Sequence, residues 1–312
     1  MRTSRVTRTL TAVLVASGLT LAACSKDPGS TNPAPTKSAG VPTQKVDAAL
    51  RAKLPQKITD AGTLTSVNTG AFPPYTISAA GGDATKVEGA SVDLEKALGE
   101  LLGVKVQDTT VSGLSGELSG IASQRYDFAF GPVGDFPERE ATVDFVDWVQ
   151  EFVVFAVPKG NPKKITSLDS ACGTRIAVQA GGSAEKVIKT QSTACTAAGK
   201  PAVEVQSYAD QPTSIMAVKS GRADAFFSSQ APLTYFVKQS NGELELAGTG
   251  QANGFDKLVQ GAVVPKGSPL GQVLQEALQK LFDNGTYAAV MSKWGLDGNK
   301  LDKPGLNLAA QK

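Results

Sequence analysis

Apolar and polar positions along this chain switch between two periods. Short runs of β-branched and aromatic residues read as strands, and stretches with apolar residues three and four apart read as helices. The first unit is a strand at Thr63–Asn68, a helix over 92–102 and a strand over 104–108. In that helix Val92, Leu94, Ala97, Leu98, Leu101 and Leu102 gather on one face. A helix near Leu118, a strand over 126–130 and an apolar run over 152–157 follow. A second set opens with a helical turn over 165–170. It continues as strand 175–179, helix 184–189, strand 203–206, helix 213–219, strand 223–227, helix 233–239 and strand 244–247. Such alternation predicts an α/β chain of mostly parallel sheets flanked by helices. The second set is long enough to build its own core, so two lobes are expected.

An internal echo suggests where the lobes join. Phe155-Ala-Val-Pro-Lys-Gly-Asn-Pro162 resembles Ala262-Val-Val-Pro-Lys-Gly-Ser-Pro269, each an apolar strand closed by the same turn. If both are crossovers, lobe 1 comprises 46–156 and 263–300, lobe 2 comprises 157–262, and 301–312 is a tail. Two such strands act as a hinge.

The ends carry a different pattern. Arg2, Arg5 and Arg8 precede an apolar run from Leu10 to Ala23, too short to span a membrane comfortably, which reads as a secretory signal over 1–23. It closes in Leu21-Ala22-Ala23-Cys24, which resembles a bacterial lipoprotein box and implies cleavage before a lipidated Cys24. Residues 25–45 are rich in Pro, Ser, Thr and Gly without apolar periodicity, so 24–45 is expected to be a disordered tether reaching roughly 25 Å. The protein is then exported and held at the extracellular face of the cell membrane. Cys172 and Cys195 remain, and in an exported chain they are expected to form a disulfide.

Without the signal the chain carries 28 basic and 29 acidic residues, a near-neutral balance that leaves no electrostatic footprint for nucleic acid. Histidine is absent from all 312 residues. Its absence removes Ser-His-Asp and Cys-His chemistry and the commonest transition-metal ligand, and no cofactor or metal is expected. Carboxylate acid–base chemistry stays open.

The segment from Tyr126 to Phe145 is the most informative. It leaves a buried strand through small residues and then presents Arg139. A guanidinium fork grips two carboxylate oxygens, and backbone groups at Gly131 and Gly134 can complete the cradle. The competing role for Arg139 is a surface ion pair with Glu138 or Asp135. Gln179-Ala-Gly-Gly-Ser183 follows a strand and opens a helix, so its N–H groups can also meet an anion. It lacks the Gly-Lys-Ser/Thr ending of a nucleotide loop.

Ordered motifs then carry a resemblance from Leu54 to Leu296. They are Gly62-Thr-Leu-Thr-Ser-Val67, Phe72-Pro-Pro-Tyr75, Gly89-Ala-Ser-Val-Asp-Leu94, the segment through Arg139, Gly221-Arg-Ala-Asp-Ala225, and Asn284 to Leu296. Together they resemble the family 3 solute-binding proteins of bacterial ABC importers, which mostly carry polar amino acids. The cysteine pair with Ala198-Gly-Lys-Pro201 resembles actinobacterial members. The resemblance implies a two-lobed binding fold, with Arg139 on the ligand carboxylate, Gly131 and Gly134 offering backbone groups, and Phe72 as an aromatic wall. It also exposes departures. Ser229 stands where relatives hold the ligand ammonium with an acid, Thr69 stands near the place of an early aspartate, and Leu114 replaces an aromatic. Asp135 and Glu151 are the candidate replacement acids.

The expected role is therefore capture of a small carboxylate-bearing solute, most simply an amino acid, by a monomer that passes it to an ABC permease without catalysis. A dehydratase-like enzyme acting on a prephenate-like acid, with Asp135 or Glu151 as the acid, is the alternative from another class. A solute sensor is the third.

Overall fold

Two mixed sheets, each covered by helices on both faces, organise the computed structural model, which describes residues 40–78 and 86–310. The expected signal, Cys24 and the tether up to residue 39 lie outside the described residues. The first sheet has six strands, in the order Lys300–Leu306, Val143–Glu151, Leu258–Pro265, Phe128–Gly134, Thr63–Asn68 and Lys105–Thr110. The second has five, in the order Glu204–Tyr208, Arg175–Gln179, Ala225–Ser229, Val153–Pro158 and Leu244–Ala247.

The two-lobed α/β architecture agrees with the sequence pattern, while the sheets are mixed where mostly parallel ones were expected. In each lobe three neighbouring strands run parallel, and a fourth inserts antiparallel beside them. The fourth strand, Leu258–Pro265 or Val153–Pro158, comes directly from the other lobe. It enters from the cleft side, where the parallel strands end, so it runs against them.

The chain leaves the first sheet at Phe152, between Glu151 and Val153, and returns between Ala247 and Leu258. Both passages lie earlier than the echo suggested. The two Pro-Lys-Gly turns close the fourth strands of the two lobes, so the echo marks equivalent positions and not the crossings. The ends differ as well. Residues 300–306, mostly expected as tail, form an edge strand against Val143–Glu151. Residues 40–45, expected as tether, are docked: the Gln44 N–H donates to Glu100 Oε2 (2.9 Å), its side-chain amide donates to Thr286 Oγ1 (2.9 Å), and Val41 packs on the core.

Local chemistry explains the main elements. Helix Ala90–Leu102 buries Leu94, Ala97, Leu98, Leu101 and Leu102, and stops at Gly103, whose left-handed backbone (φ 65°) lets its N–H return to the last carbonyls. The run over 153–157 is continuously apolar because both faces of its sheet are covered. Phe155 and Val157 share a core with Ile188 and Cys195 of helix Ser183–Ala197, while Val154 and Ala156 share one with Ile215, Val218 and Leu233. Cys172 and Cys195 are joined, with Cα atoms 5.6 Å apart, as expected.

The last turn of the described chain rests on buried acids. The N–H groups of Leu308, Ala309 and Ala310 donate to Asp147 (3.0 Å), Asp135 (2.9 Å) and Glu140 (3.1 Å). Burial, with the facing charge of Asp147, pushes Asp135 up to about 7, and burial pushes Asp147 up to about 6. Glu151 is likewise pushed up to about 7 by burial.

Two expectations follow from this packing. Replacing both Cys172 and Cys195 with serine should lower the unfolding free energy by about 3 kcal/mol, read from the urea midpoint. An unchanged midpoint would contradict a structural role for the bond. The raised carboxyls keep protons in the folded chain that the unfolded chain releases, so their contribution is present below about pH 4 and is lost as pH rises through about 7. The melting temperature of the solute-free protein should therefore fall from about pH 5 to about pH 8, and Asp147→Asn should flatten the fall. A melting temperature that rises over this range would show that these carboxyls are ionised in the folded chain.

Candidate functional site

The carboxyl ends of the parallel strands of both lobes converge on one cleft, the position where open α/β sheets bind ligands. On the first lobe the wall begins at Thr69, just past strand Thr63–Asn68, and continues through Phe72 and Thr76. Helix Gly113–Ala122 adds Leu114 and, one turn later on the same face, Glu117. The strand expected to end at Phe130 runs on to Gly134. Only Phe128 and Ala129 pair with strand Thr63–Asn68, so beyond them that edge is free and Gly131 to Gly134 face the cleft. Phe72 is stacked on Tyr75 with ring centroids 5.6 Å apart, which fixes the aromatic wall.

The second lobe supplies Gln179, Gly182, Ser183 and Ala184 from the turn that opens helix Ser183–Ala197, together with Gln211, Ser228 and Ser229. These polar groups are partly ordered among themselves. The Gln211 amide donates to Gln179 Oε1 (2.8 Å), and the Ser228 hydroxyl donates to Gln211 Oε1 (3.0 Å). Gln260, from the first lobe, donates across the cleft to the Ser229 hydroxyl at 3.4 Å. The cavity between these walls measures about 70 Å³, room for a few water-sized occupants.

Arg139 stands at the mouth. It sits in the single turn Pro137–Glu140, its guanidinium 5.2 Å from the Phe136 ring centroid. Nη1 donates to the Gly134 carbonyl (2.8 Å), and Nη2 donates to the Gly181 carbonyl of the other lobe (3.1 Å). Two of the five guanidinium N–H donors are used in these bonds. Beside it, Lys186 and Glu138 form an ion pair of 2.7 Å between the lobes, and Phe136 meets Phe255 at 6.1 Å.

Arg139, Gly131, Gly134, Phe72, Thr69, Leu114, Ser183 and Ser229 thus come together around one cavity. Asp135 does not. It follows the last residue of the strand, outside the cavity lining, and its carboxyl turns toward Asp147 and the terminal turn. Glu151 is also outside: it accepts a short hydrogen bond from the Tyr75 hydroxyl and one from the Ala231 N–H (3.4 Å), joining the lobes where the chain crosses. Trp148 is fully buried and stacked on Phe130 at 5.3 Å.

The acid in the cleft is Glu117, which sequence reasoning missed. It is 3 % exposed, and its Oε1 has no hydrogen-bond partner. Burial pushes its carboxyl up to about 8, with the charge of Arg139 pulling the other way. Thr76 Oγ1 and Gln260 Oε1, also buried and without partners, line the same cavity. A usable signal was present in the sequence: Glu117 interrupts the apolar face made by Leu114, Leu118 and Ile121.

Comparison with known proteins agrees with this geometry. Residues 64–297 match the profile of bacterial extracellular solute-binding proteins, family 3. The arginine-binding protein ArgT of Corynebacterium glutamicum is 26% identical over 295 residues, covering 94% of this chain and 93% of that protein. The L-cystine-binding protein TcyJ of Escherichia coli (strain K12) is 28% identical over 247 residues, 78% of this chain and 87% of that protein. Among solved structures, an ancestral arginine-binding protein bound to glutamine superposes with a TM-score of 0.66 at 29% identity, over 75% of this chain and 98% of its own. A second, an ancestral amino-acid-binding protein described as a precursor of cyclohexadienyl dehydratase, gives 0.65 at 23% identity over 76% and 97%, and shows the shared fold. With three quarters of its length matched, this chain belongs to the bacterial extracellular solute-binding proteins, family 3.

Proposed function

We propose that the chain is the substrate-binding component of an ABC importer for an amino acid, which it captures between its lobes and presents to a membrane permease. One observation carries the reading. A guanidinium and three unpartnered buried polar atoms, on Thr76, Glu117 and Gln260, surround a cavity between two lobes. Unpaired buried polar groups are costly, and a polar solute completes them.

The solute carboxylate is assigned to Arg139, whose bonds to the Gly134 and Gly181 carbonyls are exchanged for a charge-assisted pair as the ligand enters. The N–H groups at Gly182 and Ser183, at the start of a 15-residue helix, add a positive end from the other lobe. Closure is driven by the higher affinity of the closed form for solute, with no covalent step. The named relatives bind arginine and L-cystine, which supports an amino acid as the solute class. The acids that an enzymatic reading would use, Asp135 and Glu151, are engaged elsewhere, which favours binding over turnover. Export, lipid attachment at Cys24 and action as a monomer complete the proposal.

Calorimetric titration with L-arginine, L-glutamine and L-cystine tests the site. Arg139→Ala should cost at least about 2 kcal/mol, roughly 30-fold in Kd, for whichever of them binds. Equal affinity in the variant removes the carboxylate assignment. For the anchor, Cys24→Ser should move the protein from the membrane fraction to the medium, and retention on membranes would refute lipidation.

A further inference from the structure

Glu117 is a carboxyl that the fold has no use for. It lies on helix Gly113–Ala122, whose remaining residues carry no charge, and no ion pair joins it to Arg139 among the described residues. Its Oε1 opens beside Gly131: a Cβ built there would stand 3.9 Å from that oxygen and 3.4 Å from Thr76 Cγ2. The unpartnered Thr76 Oγ1 and Gln260 Oε1 face the same cavity, so oxygen acceptors gather on this side of it. Arg139 and Glu117 are the two charged residues of the lining, one of each sign. Ser229, the residue at the expected ammonium position, offers only a hydroxyl that Gln260 already meets.

Resting on the amino-acid reading above, we propose that Glu117 is the cation anchor of the cleft and takes an ammonium or guanidinium group of the solute, while Arg139 takes its carboxylate. The solute is thereby selected as a molecule bearing both charges, lying across the floor at Gly131.

The proton balance of this step is defined. In the empty cleft burial holds the carboxyl protonated up to about pH 8, so a cation entering at neutral pH displaces that proton to solvent. The other charges that face Glu117 are Arg139 in the cleft and Glu95 behind it, which bonds to Ser66 and lies near Asp108. Burial pushes the Glu95 carboxyl well above the ordinary carboxylate range as well. Affinity for a cationic solute therefore rises about tenfold per pH unit up to about 8 and then levels. A protonated Glu117 donating to a neutral group of the solute gives an affinity that is level up to about pH 8 and falls above it.

The full chain, its Glu117→Gln and its Arg139→Ala variants are titrated from about pH 6 to about pH 9 with L-arginine, agmatine and 5-guanidinopentanoate, in two buffers of different ionisation enthalpy. Wild type is expected to release close to one proton on binding L-arginine at pH 7. Glu117→Gln is expected to bind it at least about tenfold more weakly at pH 8 and to lose the pH slope. A melting temperature for this variant at or above that of wild type without solute shows that it is folded, because the glutamine no longer has to take up a proton on folding. If 5-guanidinopentanoate, which lacks the α-amine, is weakened equally, Glu117 holds the side-chain cation; if it is indifferent to the substitution, Glu117 holds the α-ammonium. Agmatine, which lacks the carboxylate, should respond to Glu117→Gln and not to Arg139→Ala. Wild-type affinity and proton release in Glu117→Gln, with binding lost in Arg139→Ala, overturn the cation anchor alone. Equal binding of L-arginine by wild type and Arg139→Ala overturns the pairing of the two charges by removing the carboxylate assignment, and no binding of these probes, of L-glutamine or of L-cystine to wild type overturns the amino-acid reading and the anchor with it.

Discussion

A charge taken out of water must find a partner, and most of this structure can be read from where partners are found. The nearly buried Asp224 meets Arg175, and the three acids near the terminal turn are met by backbone N–H groups, although Asp135 and Asp147 each keep one buried oxygen unpaired. In the cleft such oxygens gather on one cavity: Glu117, Thr76 and Gln260 each keep one unpaired, and Arg139 satisfies itself on two carbonyls. A site that must exchange water for solute cannot be complete without the solute.

The same principle governs how the lobes meet. Near the crossing, Glu151 is held by Tyr75 from one lobe and by the Ala231 N–H from the other, a buried and permanent joint. At the mouth the contacts are lighter: one Arg139 bond to Gly181, an exposed Lys186–Glu138 pair and one aromatic contact. Exposed ion pairs contribute little, about 0–1 kcal/mol, so the contacts at the mouth are weak beside the buried joint at the crossing.

The topology also explains the sequence echo. Each lobe inserts its fourth strand antiparallel, and both of these strands end in Pro-Lys-Gly. Similar position created similar sequence, whereas the crossings fall on Phe152 and on residues 248–257, which share no motif. Strand Val143–Glu151 was hard to read for another reason: Asp144, Asp147 and Glu151 interrupt its apolar pattern, and two of them are buried only because distant groups reach them.

Much of the architecture was legible in the chain itself, since strand and helix periods are local properties. Helix Ala90–Leu102, strand Arg175–Gln179 and the buried run over 153–157 could be read from spacing alone. The cysteine count and the lack of histidine likewise bounded the chemistry, and the small-residue approach to Arg139 located one half of the site. Tertiary structure decided what depends on direction. Gly134 and Asp135 are neighbours in sequence, yet Gly134 lines the cleft while the carboxyl of Asp135 turns away to meet the terminal turn. Glu117 is one polar residue on an amphipathic helix in the sequence, and only the fold buries it beside Gly131 and sets it in the cleft lining. Whether a carboxyl is a solvated surface group or a buried group lining a cleft depends on what surrounds it, and those surroundings come from residues distant in the chain, from Thr69 to Gln260.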